Sequence, residues 1–168
     1  MIPVNIETLV FSLPPSPSVV VLRPTGATKH DTRALPIWIG PSEASAIGIA
    51  LEDKPHTRPM THDLMTDIIH SLQGEVERVL IDRVEGSTFY ATIVINQDGE
   101  TLRLDARPSD SIALALRMHA PLFVSEEVLD FAALPYPGSP SSTAKQSESE
   151  IAEFRKFLES VQPEDFEE

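Results

Sequence analysis

The segment Asp105-Ala106-Arg107-Pro108-Ser109-Asp110 brings two carboxylates, a guanidinium and a hydroxyl together at the end of a strand pattern. A guanidinium can hold a phosphate through two parallel N–H bonds, and Asp105 with Asp110 could hold Mg²⁺ or Mn²⁺ through oxygen ligands and water. The plainer reading is an Asp–Arg surface pair followed by an acid in the first turn of a helix. A second acid, Glu43, follows Gly40-Pro41-Ser42 at another strand-to-helix junction. Helical geometry aims it along the face of Ile47 and Ala50, so it must be paired, bound to metal, raised in pKa, or held by the free N–H groups of that turn. The third cluster is Arg58-Pro59-Met60-Thr61-His62-Asp63. A histidine at a helix start beside a carboxylate could act as acid, base or metal ligand. Asp63, Asp67 and His70 also share a helical face, but it lies opposite the apolar stripe and reads as solvated.

These residues need elements to position them. Val4 to Leu13, Val19 to Leu22 and Leu35 to Ile39 read as strands, with Pro36 expected at a sheet edge or at the strand start. Ser42 to Glu52 reads as a helix that is apolar nearly all round and therefore buried on most sides. Thr61 is the expected cap of a second helix, whose stripe Leu64, Met65, Ile68, Ile69 and Leu72 should face the core and end at Gly74. Val76–Val84, Thr88–Asn96 and Thr101–Ala106 follow at hairpin spacing, with turns at Glu85-Gly86-Ser87 and Asp98-Gly99. The pattern strand, Pro-Ser-acid, apolar helix then recurs at Arg107-Pro108-Ser109-Asp110, as a duplication or as two equivalent junctions. Leu122 to Val124 is a last strand, and Ser125 caps a short helix over Glu126 to Phe131.

The expected fold is α+β: a mainly antiparallel or mixed sheet with about three packed helices, plus a short C-terminal helix after a linker. The expected divisions are a domain over 1–134, a Pro/Ser-rich linker over 135–149 and an acidic amphipathic segment over 150–168. In that segment Ile151, Phe154, Phe157 or Leu158, and Val161 share a helical face that could dock back or meet a protein partner.

The chain has 168 residues, 13 Lys+Arg against 26 Asp+Glu, and no cysteine, which excludes disulfides, zinc–thiolate sites and a thiol nucleophile. Eighteen acids and ten bases lie in residues 1–134, eight and three beyond, so the net charge of -13 is not only a property of the C-terminal end. Such a balance opposes tight nonspecific binding of nucleic acid, which depends on Lys and Arg neutralising phosphate. No run of 18 apolar residues and no basic, apolar leader occurs, so a cytoplasmic location without a membrane is the expectation. Walker, dinucleotide-binding, GxSxG, HExxH and EF-hand patterns are all absent, and no organic cofactor is expected. Trp38, Phe89 and Tyr90 fall within strands, as sheet residues rather than base-stacking platforms.

Four segments taken together resemble the bifunctional nuclease (BFN) domain family: Leu35-Pro36-Ile37-Trp38-Ile39-Gly40-Pro41-Ser42-Glu43-Ala44, Arg58 through Leu64, Gly86 through Ala91, and Asp105 through Arg117. The likeness spans roughly residues 2 to 131. It implies an α+β fold and a nuclease acting on DNA and RNA, its polar residues placed at the three junctions above. The resulting expectation is a phosphodiester hydrolase, divalent-metal dependent, with Glu43, Asp105 and Asp110 on the ion. His62 with Asp63 would supply acid/base chemistry, and Arg58 and Arg107 would clamp phosphate. Substrate binding should be weak and salt-sensitive, and a homo-oligomer is left open. The competing expectation is a non-catalytic binding or regulatory module acting through protein partners.

Overall fold

The computed structural model describes residues 1–13, 15–26, 33–52 and 57–135. In chain order the elements are β1 (Ile2–Val10), β2 (Ser18–Pro24), β3 (Arg33–Ile39), α1 (Pro41–Glu52), α2 (Thr61–Ser71) and β4 (Gly74–Glu85). They continue with β5 (Thr88–Gln97), β6 (Glu100–Ala106), α3 (Pro108–Met118), β7 (Leu122–Val124), α4 (Glu126–Ala132) and β8 (Leu134–Pro135). The strands form one sheet in the order β6-β5-β4-β7-β1-β2-β3-β8. Neighbours are antiparallel except β4 and β7, which run parallel. The fold is therefore α+β with a mixed sheet, as expected.

Three-residue β7 joins the sheet together. Leu122 pairs with Val4 on one side and Val79 on the other, so it welds the N-terminal strands to the β4–β6 meander. A parallel neighbour needs a crossover, which β5, β6 and α3 supply. Helix α3 covers β4 and β5, and both α1 and α2 pack on α3. Ile112, Ala113, Leu114 and Ala115 of α3 are buried against Val79, Ile81, Ala91, Ile93 and Ile95 in the main core. Val10, Val19, Val21 and Ala34 form a smaller cluster with Trp38 packed on it.

Pro36 is buried within β3 and pairs with Val21. Strand β8 reaches only Arg33 and Ala34, so at Pro36 β3 has a sheet partner on one side, where a missing N–H is tolerable. Helix α1 departs from expectation. It buries only Ala44 and Ile47, and Leu51 is exposed, because α1 has the sheet and α3 for neighbours and solvent elsewhere.

Helix α2 departs further. Met65 and Ile69 pack on the core, but Leu64, Ile68 and Leu72 are about half exposed, because α2 rests on α3 and β4 and nothing described covers its flank. Its N-cap is Met60 rather than Thr61, and the Asp63 carboxylate reaches back to accept the Met60 N–H at 2.8 Å. At its end the left-handed residue is Gln73 (φ 58°), not Gly74. Gly74 instead opens β4 where a Cβ would press on Ile69 and Ile95, each at 3.2 Å. Ser125 does cap α4, accepting the Val128 N–H at 3.1 Å. Apart from Pro135, which lies in β8, the expected linker and the amphipathic C-terminal segment fall outside the described residues.

Candidate functional site

Three helix starts meet at one place. Glu43, Asp63 and Asp110 each occupy the third position of their helix, where unpaired N–H groups and the helix dipole favour a carboxylate. In α1 and α3 a proline takes the first position, where its missing N–H costs nothing. The repeated Pro-Ser-acid pattern is thus two equivalent helix starts turned toward each other.

Arg107, the N-cap of α3, ties them together. Its Nε donates to Asp110 Oδ2 at 2.7 Å and its Nη2 to Asp110 Oδ1 at 3.2 Å, while Nη1 reaches Glu43 Oε1 at 3.1 Å. Three of five guanidinium N–H groups are thereby used and two remain. The Arg107 side chain is 65% exposed, so those two face an accessible surface. Behind it, His62 Nε2 lies 3.3 Å from Asp110 Oδ1. His62 is the one buried residue of α2, and Thr66 Oγ1 donates to its carbonyl.

The electrostatics follow from these contacts. The Glu43 carboxyl is held below its ordinary value chiefly by a bond from its own backbone N–H; burial opposes this, and Ser42 and Arg107 assist it. Burial pushes Asp110 up, but the Arg107 hydrogen bonds and charge, joined by His62, outweigh it and leave the carboxyl lowered. Asp110 in turn raises the Arg107 guanidinium. Gly40 gives the Glu43 carboxylate room to fold back: a Cβ there would run into Glu43 Oε2.

Asp63 has a different neighbourhood. Its Oδ1 accepts from Arg117 Nε at 2.6 Å and its Oδ2 from the Met60 N–H. Arg117 Nη1 also donates to the carbonyls of Ala46 and Ala113, so one guanidinium pins α1, α2 and α3. Arg117 is the residue that sequence reasoning missed. It stands seven positions after Asp110, on the same face of α3, a spacing that could have signalled it.

The structure therefore brings Glu43, Arg107, Asp110 and His62 into one bonded chain, with Asp63 on the adjoining clamp. Asp105 stands apart, exposed on β6 opposite Thr92. Arg58 is exposed in the segment before α2 and has no ion pair among the described residues. Glu43, Asp105 and Asp110 do not form an ion cage in this arrangement. Arg107 already bridges Glu43 and Asp110, and among the described residues no group of three or more His, Cys, Asp or Glu is placed to hold a metal. The donor set as arranged fits a guanidinium better than a divalent cation.

The model of the bifunctional nuclease domain matches residues 20–137, a span that takes in all three helix starts. The chain belongs to the bifunctional nuclease domain family. Two relatives from Mycobacterium tuberculosis, the uncharacterized proteins MT1877 of strain CDC 1551 and Rv1829 of strain H37Rv, are each 38% identical over 155 residues. The similarity covers 91% of this chain and 90% of each relative, so it extends past the family domain at both ends. Among the described residues no helix is long and apolar enough to cross a membrane.

Proposed function

We propose that this bifunctional nuclease domain hydrolyses phosphodiester bonds of DNA and RNA at the junction of α1, α2 and α3. The observation that carries the reading is Arg107, whose exposed guanidinium keeps two N–H groups free while bonded to the Asp110 carboxylate that also meets His62. A phosphate accepted by those groups would be held through charge-assisted bonds to the guanidinium. The guanidinium would then stabilise the charge that builds on the phosphate oxygens as a nucleophile adds.

His62 is the group for proton transfer. In the tautomer with Nε2–H donating to Asp110, Nδ1 would take a proton from the attacking water, the carboxylate would steady the imidazolium formed, and the sugar oxygen released as its P–O bond breaks would be protonated from solvent. Asp63 serves this site through Arg117, by fixing the first turn of α2 and with it the position of His62. Arg58 would extend the phosphate clamp along a longer strand. No step runs through a divalent ion, because two of the three carboxylates expected to bind one, Glu43 and Asp110, are engaged by Arg107 and the third, Asp105, stands apart on β6.

A second reading, a binding module acting through protein partners, is favoured by one observation. Glu43, Asp63 and Asp110 are all satisfied inside the molecule, as acids serving only to start helices would be.

Cleavage of labelled single- and double-stranded DNA and RNA by highly purified chain, with and without EDTA, decides among these. Asp110→Asn should lower the rate about 100-fold or more and leave the fold intact. Cleavage that persists in EDTA and falls in the variant supports the assignment. Loss of activity in EDTA would mean that an ion enters and displaces Arg107, overturning the metal-free scheme. Cleavage unchanged in Asp110→Asn would overturn the site, and no cleavage by the wild type would leave the binding module.

A further inference from the structure

Strand β6 ends the sheet, and its seven residues pair with β5 in an unbroken register from Ala106 opposite Ala91 to Glu100 opposite Gln97. A regular edge offers a row of unpaired N–H and C=O groups to any other strand, so edges are commonly blunted by proline, a bulge or lysine. The sequence Glu-Thr-Leu-Arg-Leu-Asp-Ala contains no proline or lysine, and its ladder has no bulge. Its two faces are distinct. Leu104 and Leu102 stand beside Ile93 and Ile95 on the helix-covered face, yet they are 48% and 39% exposed. Arg103 and Asp105 project from the opposite face, exposed and without an ion-pair or hydrogen-bond partner among the described residues. Helix α2 ends over the same hairpin, where Gln97 Nε2 donates to the Leu72 carbonyl at 2.8 Å, and it too leaves Leu64, Ile68 and Leu72 exposed.

We propose that β6 is an interface for a second copy of this chain, the two strands pairing antiparallel about a two-fold axis at Leu104 so that Arg103 of each copy meets Asp105 of the other. Charge and parity select this register. A shift by one residue would turn the leucines of one copy to the wrong face, so only alternate registers are open. An axis at Arg103 sets two guanidinium groups opposite each other, which is unfavourable. An axis at Leu102 puts Leu104 against Glu100 and leaves Arg103 against Thr101. The axis at Leu104 gives two Arg103–Asp105 pairs, sets Leu104 against its twin and places Leu102 against Ala106.

The axis stands perpendicular to the sheet, so both helical layers lie on one side, and the exposed apolar flank of α2, which reaches the β5–β6 hairpin at Gln97, is the surface available to enlarge the joint. It matters for size, because one strand pair alone falls short of the roughly 1,200 Å² at which stable interfaces begin. The pairing is isologous and closed: it consumes the β6 edge of both copies and produces a dimer rather than a fibre.

Sedimentation velocity on the full chain at tens of micromolar tests the proposal. The wild type should sediment as a dimer, and Arg103→Asp should weaken association about tenfold or more. Combining Arg103→Asp with Asp105→Arg in one chain should restore it, since the pairs re-form with reversed sign. Leu104→Lys, which puts two like charges on the axis, should give a monomer with an unchanged far-ultraviolet spectrum. A monomeric wild type, a dimer indifferent to Arg103→Asp, or a reversed pair that fails to recover the dimer would each overturn the proposal. The last outcome would exclude this register even if β6 were buried.

Discussion

Arg107 bonds two carboxylates that lie 64 and 3 positions from it in the chain, and this double duty links the site to stability. Both Glu43 and Asp110 have folded values below their ordinary ones, so the stability they supply is present above the unfolded carboxylate range near pH 4 and is lost as pH falls through the lowered values. Replacing Arg107 by Gln removes the charge and most of these bonds. The variant should therefore be less stable than the wild type at neutral pH, and the gap should narrow below about pH 4, where the wild type protonates the same carboxylates. Urea midpoints for the two proteins across that range measure it; a gap independent of pH would mean that the bridge contributes nothing. Glu43, His62 and Asp110 were legible as candidates because each sits at a helix start marked by local sequence. Asp105 was equally conspicuous, yet it belongs to the exposed end of β6. Strand alternation, if continued, places Arg103, Asp105 and Arg107 on one face, and nothing local reveals that the chain turns at Arg107 and takes the guanidinium toward Glu43 instead.

At the scale of elements, local signals located strands and helices, and tertiary crossings decided which faces they bury. The meander, α3 and the Ser125 cap follow from alternation, a Pro-Ser-acid start and an N-cap, all of them short-range. The exposed flank of α2 does not follow, because the Arg117–Asp63 contact that sets α2 across α3 joins residues 54 apart. The parallel insertion of β7 between β4 and β1 is illegible for the same reason. Glycines show the distinction at single-atom scale. Gly74 has the local signature of a helix terminator, but a Cβ there meets Ile69 and Ile95 at 3.2 Å within the core, and Gly74→Ala should cost about 1–3 kcal/mol by overpacking. Gly48 looks tighter, its added Cβ meeting Phe11 Cζ at 2.8 Å, but Phe11 is exposed and its ring can swing away. Gly48→Ala should then recover up to about 1 kcal/mol of helix propensity. Thermal denaturation of the two variants should move in opposite directions, and a larger loss for Gly48→Ala would show that Phe11 is held in place.

On the scale of the whole molecule, the net charge of -13 and the proposed substrate pull against each other. A protein that wraps nucleic acid with many Lys and Arg shows a steep fall of affinity with salt, because each neutralised phosphate releases a counterion. Here the proposed clamp consists of Arg107 and Arg58 on a surface where acids outnumber bases, so few phosphates are engaged at once. The logarithm of the binding constant for double-stranded DNA should fall with the logarithm of salt concentration at a slope of roughly -1 to -2, corresponding to one or two contacts. Arg107→Gln should reduce that slope by about one and weaken binding evenly across sequences, since a guanidinium on phosphate reads no base. Fluorescence anisotropy with an uncleavable phosphorothioate duplex, titrated at several salt concentrations, gives both quantities. A slope of about -5 or steeper would require more basic contacts than Arg107 and Arg58 supply, and would move nucleic-acid binding away from the three helix starts. A shallow slope that Arg107→Gln leaves untouched would separate the guanidinium from the phosphate. The clamp would then be a device for joining α1 to α3, and the domain would have to recognise its substrate elsewhere.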